Sequence, residues 1–509
     1  MSIPSILPYS RTPSPNVWRW IGAFMGLVLA TYPIVAADRL YLDDIWRSMY
    51  GDPGWTSNAR PLADVVMLAL NQGTRVVELA PLPLWLGLAG IATMLVALRQ
   101  AFVEFSDGHA WLAMALLVLQ PFFLQNLSYQ FDALPMALAV SCAGMALAAG
   151  MRASPTKGFM LSVIGLFASL CFYQAAVSVY FVLLAFHALF SLATYGTLQW
   201  RRHVGLLAAG AVTLLGYKLI SGWWLAGGYS LSHSQMAAPA ALPMHIVDNT
   251  LTFWRYAART LAGAPWWGLS ATTLIALTGL TLGALRPSQA KHPLAWPWRL
   301  LLMLIILLLL PLGALGIMAA LEDPLWRPRT FIGFGALCAG SLFCAVATCE
   351  YYGWRRLGVS MLVLVLGGAT VIAYAYGNAQ GSQKSFEESV SRQLVDDLRR
   401  LEAEGALVVF GTLPLSKSAD NTVHAFPILK ELVGSYLDNG YWWGYQNLYR
   451  LGLPQRYAFN GDQALRDAFA DHCTTLEPLL ERGWYTLYQW QDAIFVSLDG
   501  ACRRDTGDS

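Results

Sequence analysis

The chain has 509 residues, of which 56% are hydrophobic and only 13% charged, and its net charge is +2. Soluble domains carry about 25% charged residues, so this composition excludes an ordinary soluble enzyme. The small net charge and the lack of a basic run exclude a nucleic-acid binder. The class that remains is an all-α polytopic membrane protein of about 11 transmembrane helices, with a small C-terminal α/β domain.

The first apolar run, about 17–37, is long enough to span, since a span needs about 20 residues. No small-residue cleavage site follows it, so it reads as a retained anchor. Further candidate spans lie at roughly 82–98, 109–125, 132–150, 158–175, 176–198, 204–221, 264–285, 300–320, 331–349 and 358–377. One set of connections is short and basic: Arg99; Arg152 and Lys157; Arg201 and Arg202; Arg286, Lys291 and Arg299; Arg355 and Arg356. Arg11 and Arg19, ahead of the first span, join it. The other set includes two long loops, 38–81 and 222–263, rich in Trp, Tyr, Pro and acidic residues. Short basic loops stay in the cytoplasm. A cytoplasmic N-terminus follows, with both long loops, Glu322-Asp323 and the tail from about Gly377 on the outer, periplasmic side.

In the first long loop, Leu62, Val65, Val66, Leu68 and Leu70 within 61–79 predict an amphipathic helix lying in the interface. The tryptophans at 223, 224, 254, 266 and 267 fit an interfacial belt or stacking on a sugar ring, and both readings stand. The tail, 378–509, reads as a domain separate from 1–377. A helix is predicted over 385–406 with Leu394, Leu398 and Leu401 on one face, and strands over 406–410 and 493–498. Such a tail can bury a core of its own. Five cysteines (Cys142, Cys171, Cys338, Cys344, Cys349) read as packing residues. Cys473 and Cys502 are a disulfide candidate if the tail faces an oxidising compartment.

This topology gathers polar groups on the outer side. Asp43 and Asp44 follow the first span, and charged groups near the bilayer are costly enough to mark function. Asn126, Gln130 and Asp132 lie between spans three and four, Tyr173 and Gln174 between five and six, and Lys218 at the end of seven. Arg255 and Arg259 lie in the second long loop, and Glu322, Asp323, Arg327 and Arg329 between spans nine and ten. A carboxylate can take the proton of an acceptor hydroxyl, and Arg or Lys can hold a departing phosphate. The phosphate belongs to a lipid donor, because nucleotide sugars are confined to the cytoplasm. Plainer readings stand beside this one. Asp43 and Arg47 are spaced for an i,i+4 ion pair. Asp132 is placed to cap a helix, Gln174 to bridge helices, and Arg327 and Arg329 to anchor lipid headgroups.

One family carries these residues in this order: a first span, Asp43-Asp44-x-x-Arg47, then Trp55 and Arg60-Pro61-Leu62, then Phe131-Asp132, then Tyr173-Gln174-Ala175. Over roughly residues 15–350 the chain resembles the O-antigen glucosyltransferases of the Gtr type, polytopic glycosyltransferases of the GT-C fold. The tail matches no part of that pattern. The resemblance implies a bacterial inner-membrane enzyme that moves a hexose, usually glucose, from undecaprenyl phosphate to a periplasmic polysaccharide such as O-antigen. It implies an inverting displacement with an aspartate as general base. Asp44 is the expected base, with Asp43 as its orienting partner. Whether the pair holds a divalent cation (Mg or Mn) stays open. Arg47, Trp55, Arg60, Asp132, Gln174, Lys218, Arg327 and Arg329 are the expected donor- and acceptor-binding residues. The alternatives are a transporter or flippase, or a ligase or polymerase, of lipid-linked glycans. A transporter calls for charged or broken spans near mid-membrane, and here the span centres carry almost no charge.

Overall fold

The computed structural model describes residues 14–225, 231–287, 290, 293–455, 462–498 and 500–502. Arg11 and Lys291 of the basic set, and the side chain of Trp266, lie outside the described residues. Among the described residues, ten helices are long and apolar enough to cross a membrane. A bent pair, Ala110–Leu119 and Pro121–Ser128, kinked by 44°, makes eleven if it counts as one span. The break falls where Pro121 forces Gln120 out of helical conformation, to φ −65° and ψ 147°. The protein is therefore a multi-pass membrane protein, in agreement with the span count read from the sequence. Spans Ala133–Arg152, Gln174–Tyr195 and Ile332–Tyr351 are largely buried and form the centre. Pro15–Ala37 and Trp296–Ala320 are mostly uncovered, as expected of helices facing lipid.

The last span does not stop at the membrane. A single helix runs from Arg355 to Arg400, 46 residues, or roughly 69 Å at 1.5 Å per residue. That is about twice what a 30 Å hydrocarbon layer needs. The sequence boundary near 377 thus falls inside a helix, and the helix expected over 385–406 is its continuation. No Gly or Pro interrupts it after Gly381, and Val390, Leu394 and Leu398 keep an apolar face in step. Leu401, assigned to that face, is instead exposed just past the end. Gly377 is where this helix meets the first: an added Cβ would lie 2.4 Å from the Pro33 backbone, so only glycine permits the approach.

The tail forms a four-stranded sheet of β1 (Ala406–Phe410), β2 (Leu480–Glu481), β3 (Tyr485–Trp490) and β4 (Ala493–Leu498), in the order β1-β4-β3-β2. β1 runs parallel to β4, and β3 pairs antiparallel with both β4 and β2. Leu394 and Leu398 of the long helix and Leu448 of helix Trp442–Arg450 cover one face. Phe469, Tyr488 and Phe495 pack on the other, beside a Cys473–Cys502 disulfide with an S–S distance of 2.06 Å. Ile428, Leu429, Leu432 and Val433 of the tail bury themselves in the core of the helix bundle. The tail is therefore joined to the bundle by a shared core as well as by the long helix.

In the first long loop the amphipathic helix spans Pro61–Asn71, with Ala63 and Met67 buried and Val65 exposed. It is shorter than the predicted 61–79. The second long loop contains a helix, Leu242–Thr260.

Candidate active site

Asp43 and Asp44 begin a short helix, Asp43–Tyr50, set at an angle to the first span by the turn at 38–42. Leu42 takes φ 51° and ψ −107° there, a backbone conformation that costs a residue with a Cβ of order 1–3 kcal/mol. The surroundings hold it in place. The Arg39 guanidinium donates to Gln380 Oε1 at 2.6 Å, Glu387 Oε2 at 2.8 Å and the Gly434 carbonyl at 2.8 Å. It also lies 4.3 Å over the Tyr436 ring. The Tyr436 hydroxyl donates to the Leu40 carbonyl at 2.9 Å and accepts from the Leu42 amide at 3.4 Å. Tyr41 donates from its hydroxyl to the Leu432 carbonyl at 3.2 Å. The turn that aims the acidic pair is gripped by the tail and the long helix.

The two carboxylates have different fates. Asp44 is 0% exposed. Its Oδ2 accepts the amides of Tyr41 (3.0 Å) and Gln130 (2.7 Å), and its Oδ1 accepts the amide of Phe131 (3.2 Å). It ties the short helix to the loop before span Ala133–Arg152. Burial, helped by the neighbouring charge of Asp132, pushes its pKa up to about 8, against the pull of the amides and Arg47. Asp43 is half-buried, and among the described residues its side chain makes no hydrogen bond.

Asp132 holds a second cluster. Its oxygens accept from Arg47 Nη1 at 2.6 Å and Trp55 Nε1 at 2.7 Å, with Arg60 Nη1 at 3.9 Å. Arg47 also lies 4.3 Å over the Trp55 ring. The i,i+4 pairing of Asp43 with Arg47 therefore does not form, because Arg47 is committed to Asp132. Asp132 precedes helix Ala133–Arg152, yet its side chain makes no capping bond. Arg60 stacks 4.4 Å over Tyr173, and its Nε donates to Gln174 Oε1 at 3.4 Å. The Gln174 amide donates to the Asn58 carbonyl at 3.0 Å and to the Tyr217 hydroxyl at 2.8 Å. Arg47, Trp55, Arg60, Asp132 and Gln174 thus form one connected network beneath the short helix. Lys218 is not part of it: its side chain is exposed and its ammonium reaches the Ser234 carbonyl at 3.4 Å.

Arg327, Arg329 and Asp43 all lie near Tyr441 of the tail. Arg329 donates from Nη1 to the Tyr129 hydroxyl, and its backbone amide donates to Gln125 Oε1 at 2.8 Å. The Arg327 side chain is exposed and makes no hydrogen bond among the described residues. Both cations and Asp43 act on the Tyr441 hydroxyl: burial pushes it up to about 12, the arginines pull it down, and Asp43 raises it. This cluster contains a carboxylate, two arginines and tyrosines from both the bundle and the tail. Sequence reasoning missed Arg39, Tyr129, Tyr436 and Tyr441. Arg39 had a signal in its place beside the acidic pair, whereas the tail tyrosines, nearly 400 residues away, had none.

As a seat for Mg or Mn the site is poor. Among the described residues no three His, Cys, Asp or Glu side chains converge. Asp44 and Asp132 spend their oxygens on protein donors, which leaves Asp43 of the three with free ones, while hard cations want several oxygens.

The model of the family "Glucosyl transferase GtrII" matches residues 20–339. A 55.3 kDa protein of Salmonella phage P22, encoded in the 5′ region of gtrB, is 28% identical over 483 residues, covering 91% of this chain and 94% of the phage protein. That relation extends into the tail, beyond where the family model ends. No solved structure matches. With more than half of its length matched, and with the membrane bundle and the order of polar residues described above, the chain belongs to the GtrII glucosyl transferase family.

Proposed function

We propose that this glycosyltransferase moves glucose from undecaprenyl phosphate to a periplasmic polysaccharide, as in O-antigen modification, with Asp43 as the general base. The observation that carries the reading is the division of labour between the neighbouring acids. Asp44, the expected base, is buried, bonded to three amides and pushed towards the neutral form. Asp43 makes no side-chain hydrogen bond among the described residues, and it acts on the Tyr441 hydroxyl together with Arg327 and Arg329. The roles read from the sequence are therefore exchanged, with Asp44 as the positioning group.

In the proposed reaction the acceptor hydroxyl oxygen attacks the anomeric carbon of the donor and Asp43 takes its proton. The bond from the anomeric carbon to the phosphate oxygen breaks with inversion. The departing polyprenyl phosphate gains a negative charge, which Arg327 and Arg329 stabilise. The basic rim at the other end of the bundle supports an inner-membrane orientation with the N-terminus cytoplasmic and the tail periplasmic. The Cys473–Cys502 disulfide fits that oxidising side. The test is transfer by the full-length protein in lipid nanodiscs, from glucosyl phosphoryl undecaprenol to lipopolysaccharide of its host, for wild type and Asp43→Asn. Loss of transfer with intact folding supports the reading; full activity in D43N removes it.

A further inference from the structure

Resting on the reading above, we infer that the tail supplies the glycan acceptor site: an aromatic platform of Trp46, Tyr50, Tyr441 and Trp442 beside Asp43 that stacks against a sugar of the acceptor polysaccharide.

Asp43, Trp46 and Tyr50 stand at i, i+3 and i+7 of the short helix and share one face. The Trp46 ring centroid is 4.1 Å from Tyr50 and 6.0 Å from Trp442, with ring planes tilted by 38° and 35°. Trp442 opens helix Trp442–Arg450 of the tail, and Tyr441 directly precedes it. Tyr50 is 46% and Tyr441 38% exposed, while Trp46 and Trp442 are half-buried. The Tyr441 hydroxyl lies within the fields of Asp43, Arg327 and Arg329.

Tyr50 and Tyr441 leave much of their surface uncovered, and Trp46 and Trp442 part of theirs. Leaving apolar area in water costs free energy in proportion to that area, so a contiguous exposed group marks a binding surface. A pyranose fits it. Its C–H face is apolar and matches the face of a ring, while its hydroxyls can reach the polar edges of Tyr and Trp. A lipid belt fits less well. Tyr441 and Trp442 hang on the sheet domain, and Trp46 and Tyr50 lie past the end of the first span, whereas the strongly exposed Trp223 and Trp267 belong to the bundle. A polysaccharide stacked across both domains would present a hydroxyl to Asp43. This gives the tail a task that residues 20–339, the part matched by the family model, cannot perform alone.

The experiment uses full-length protein in nanodiscs, with Trp442→Ala, Tyr441→Ala and Trp442→Phe. Transfer from glucosyl phosphoryl undecaprenol is followed as host lipopolysaccharide is varied. Separately, binding of the delipidated O-polysaccharide is measured by calorimetry without donor. W442A and Y441A should raise the half-saturating acceptor concentration roughly three- to tenfold, and W442A should keep the rate at saturation within about twofold with the donor dependence unmoved. W442F should restore most of the loss. Unchanged acceptor dependence and unchanged polysaccharide binding in both alanine variants would overturn the platform. If W442A instead loses binding to phosphatidylglycerol vesicles and keeps polysaccharide binding, the rings are a lipid belt and the proposal also falls. Polysaccharide binding that depends on Trp442, in a wild type that transfers no glucose from this donor, would keep the platform and sink the donor reading alone.

Discussion

The two ends of the helix bundle hold their best-buried acids and arginines differently. At the end rich in arginine, Arg202, Arg286 and Arg299 are each closed off by the fold. Arg202 donates to the Ala153 carbonyl at 3.1 Å, and Arg299 donates to the carbonyls of Leu294 at 2.7 Å and Arg286 at 3.0 Å. Arg286 lies 4.4 and 4.8 Å over Tyr351 and Tyr352. Two acids there are held as well: Glu350 by Ser106 and the His109 amide, Glu104 by His187 at 3.2 Å. At the other end Asp132 and Asp44 are equally committed, yet Asp43 and Arg327 are left uncommitted. Ionised groups held near a bilayer without partners are costly. Three arginines and two acids of the first end are held by contacts of the fold, whereas at the second Asp43 and Arg327 make no side-chain hydrogen bond among the described residues.

The largest effect expected from breaking this contrast is at Asp43. Asp43→Asn should lower transfer by about 10²–10⁴, the usual contribution of a general base, with the melting temperature in detergent nearly unchanged. Asp44→Asn should lower it far less, because the amide keeps one acceptor oxygen for the surrounding N–H groups. Rates for the two variants under one set of conditions check the assignment; equal losses would return Asp44 to the chemistry.

Next is the grip on the 38–42 turn. Glu387→Ala strands the buried Arg39 guanidinium, and losing one partner of a buried pair costs about 3–5 kcal/mol. Heat unfolding in detergent should show that loss, and limited proteolysis should show cleavage in the 38–60 loop. Replacing both partners by methionine should recover part of the stability, since two neutral side chains leave no bare charge. Transfer should stay low in the double variant, because the turn then loses its Arg39 anchor and keeps only weaker holds such as those of Tyr436 and Tyr41.

How much of this was legible follows from the range of each signal. The spans, the Pro61–Asn71 helix, strands β1 and β4 and the clustering of Arg47, Trp55, Asp132 and Gln174 were readable. Apolar periodicity and topology act over short distances or collect residues by side of the membrane. The continuity of Arg355–Arg400 was not, because the sequence changes from apolar to polar near 377 while the helical hydrogen bonding does not. Which of Asp43 and Asp44 is buried was invisible for another reason: one residue of rotation on a helix, about 100°, decides which acid turns inward to meet the Gln130 and Phe131 amides. Tyr436 and Tyr441 reach the site through tertiary packing alone.

A smaller effect sharpens the same pair of acids by pH. The folded pKa of Asp44, about 8, lies above the unfolded value of about 4, so the fold binds the proton more tightly than the open chain does. The stabilisation this gives is complete below about pH 4 and is lost as the pH rises to about 8. D44N cannot titrate there. Its melting temperature relative to wild type should therefore climb between about pH 5 and 8 and level off above. A difference that stays flat over that window would mean that Asp44 is ionised in the fold.

The smallest effect belongs to the closed end. Arg202 is held by the Ala153 carbonyl and by Gln199 Oε1 at 3.0 Å, contacts within its own rim. Arg202→Ala should change stability by no more than about 0.5 kcal/mol, as for most surface substitutions. Transfer should stay within about twofold, because Arg152, Arg286, Arg299 and Arg355 still mark the same side. Arg327→Ala removes one charge of the same sign at the other end, and there transfer should fall roughly tenfold or more, as expected when a single transition-state donor is lost. Matched rates for R202A and R327A decide whether the contrast between the ends is functional; equal effects would mean that the exposed arginines are ordinary headgroup anchors.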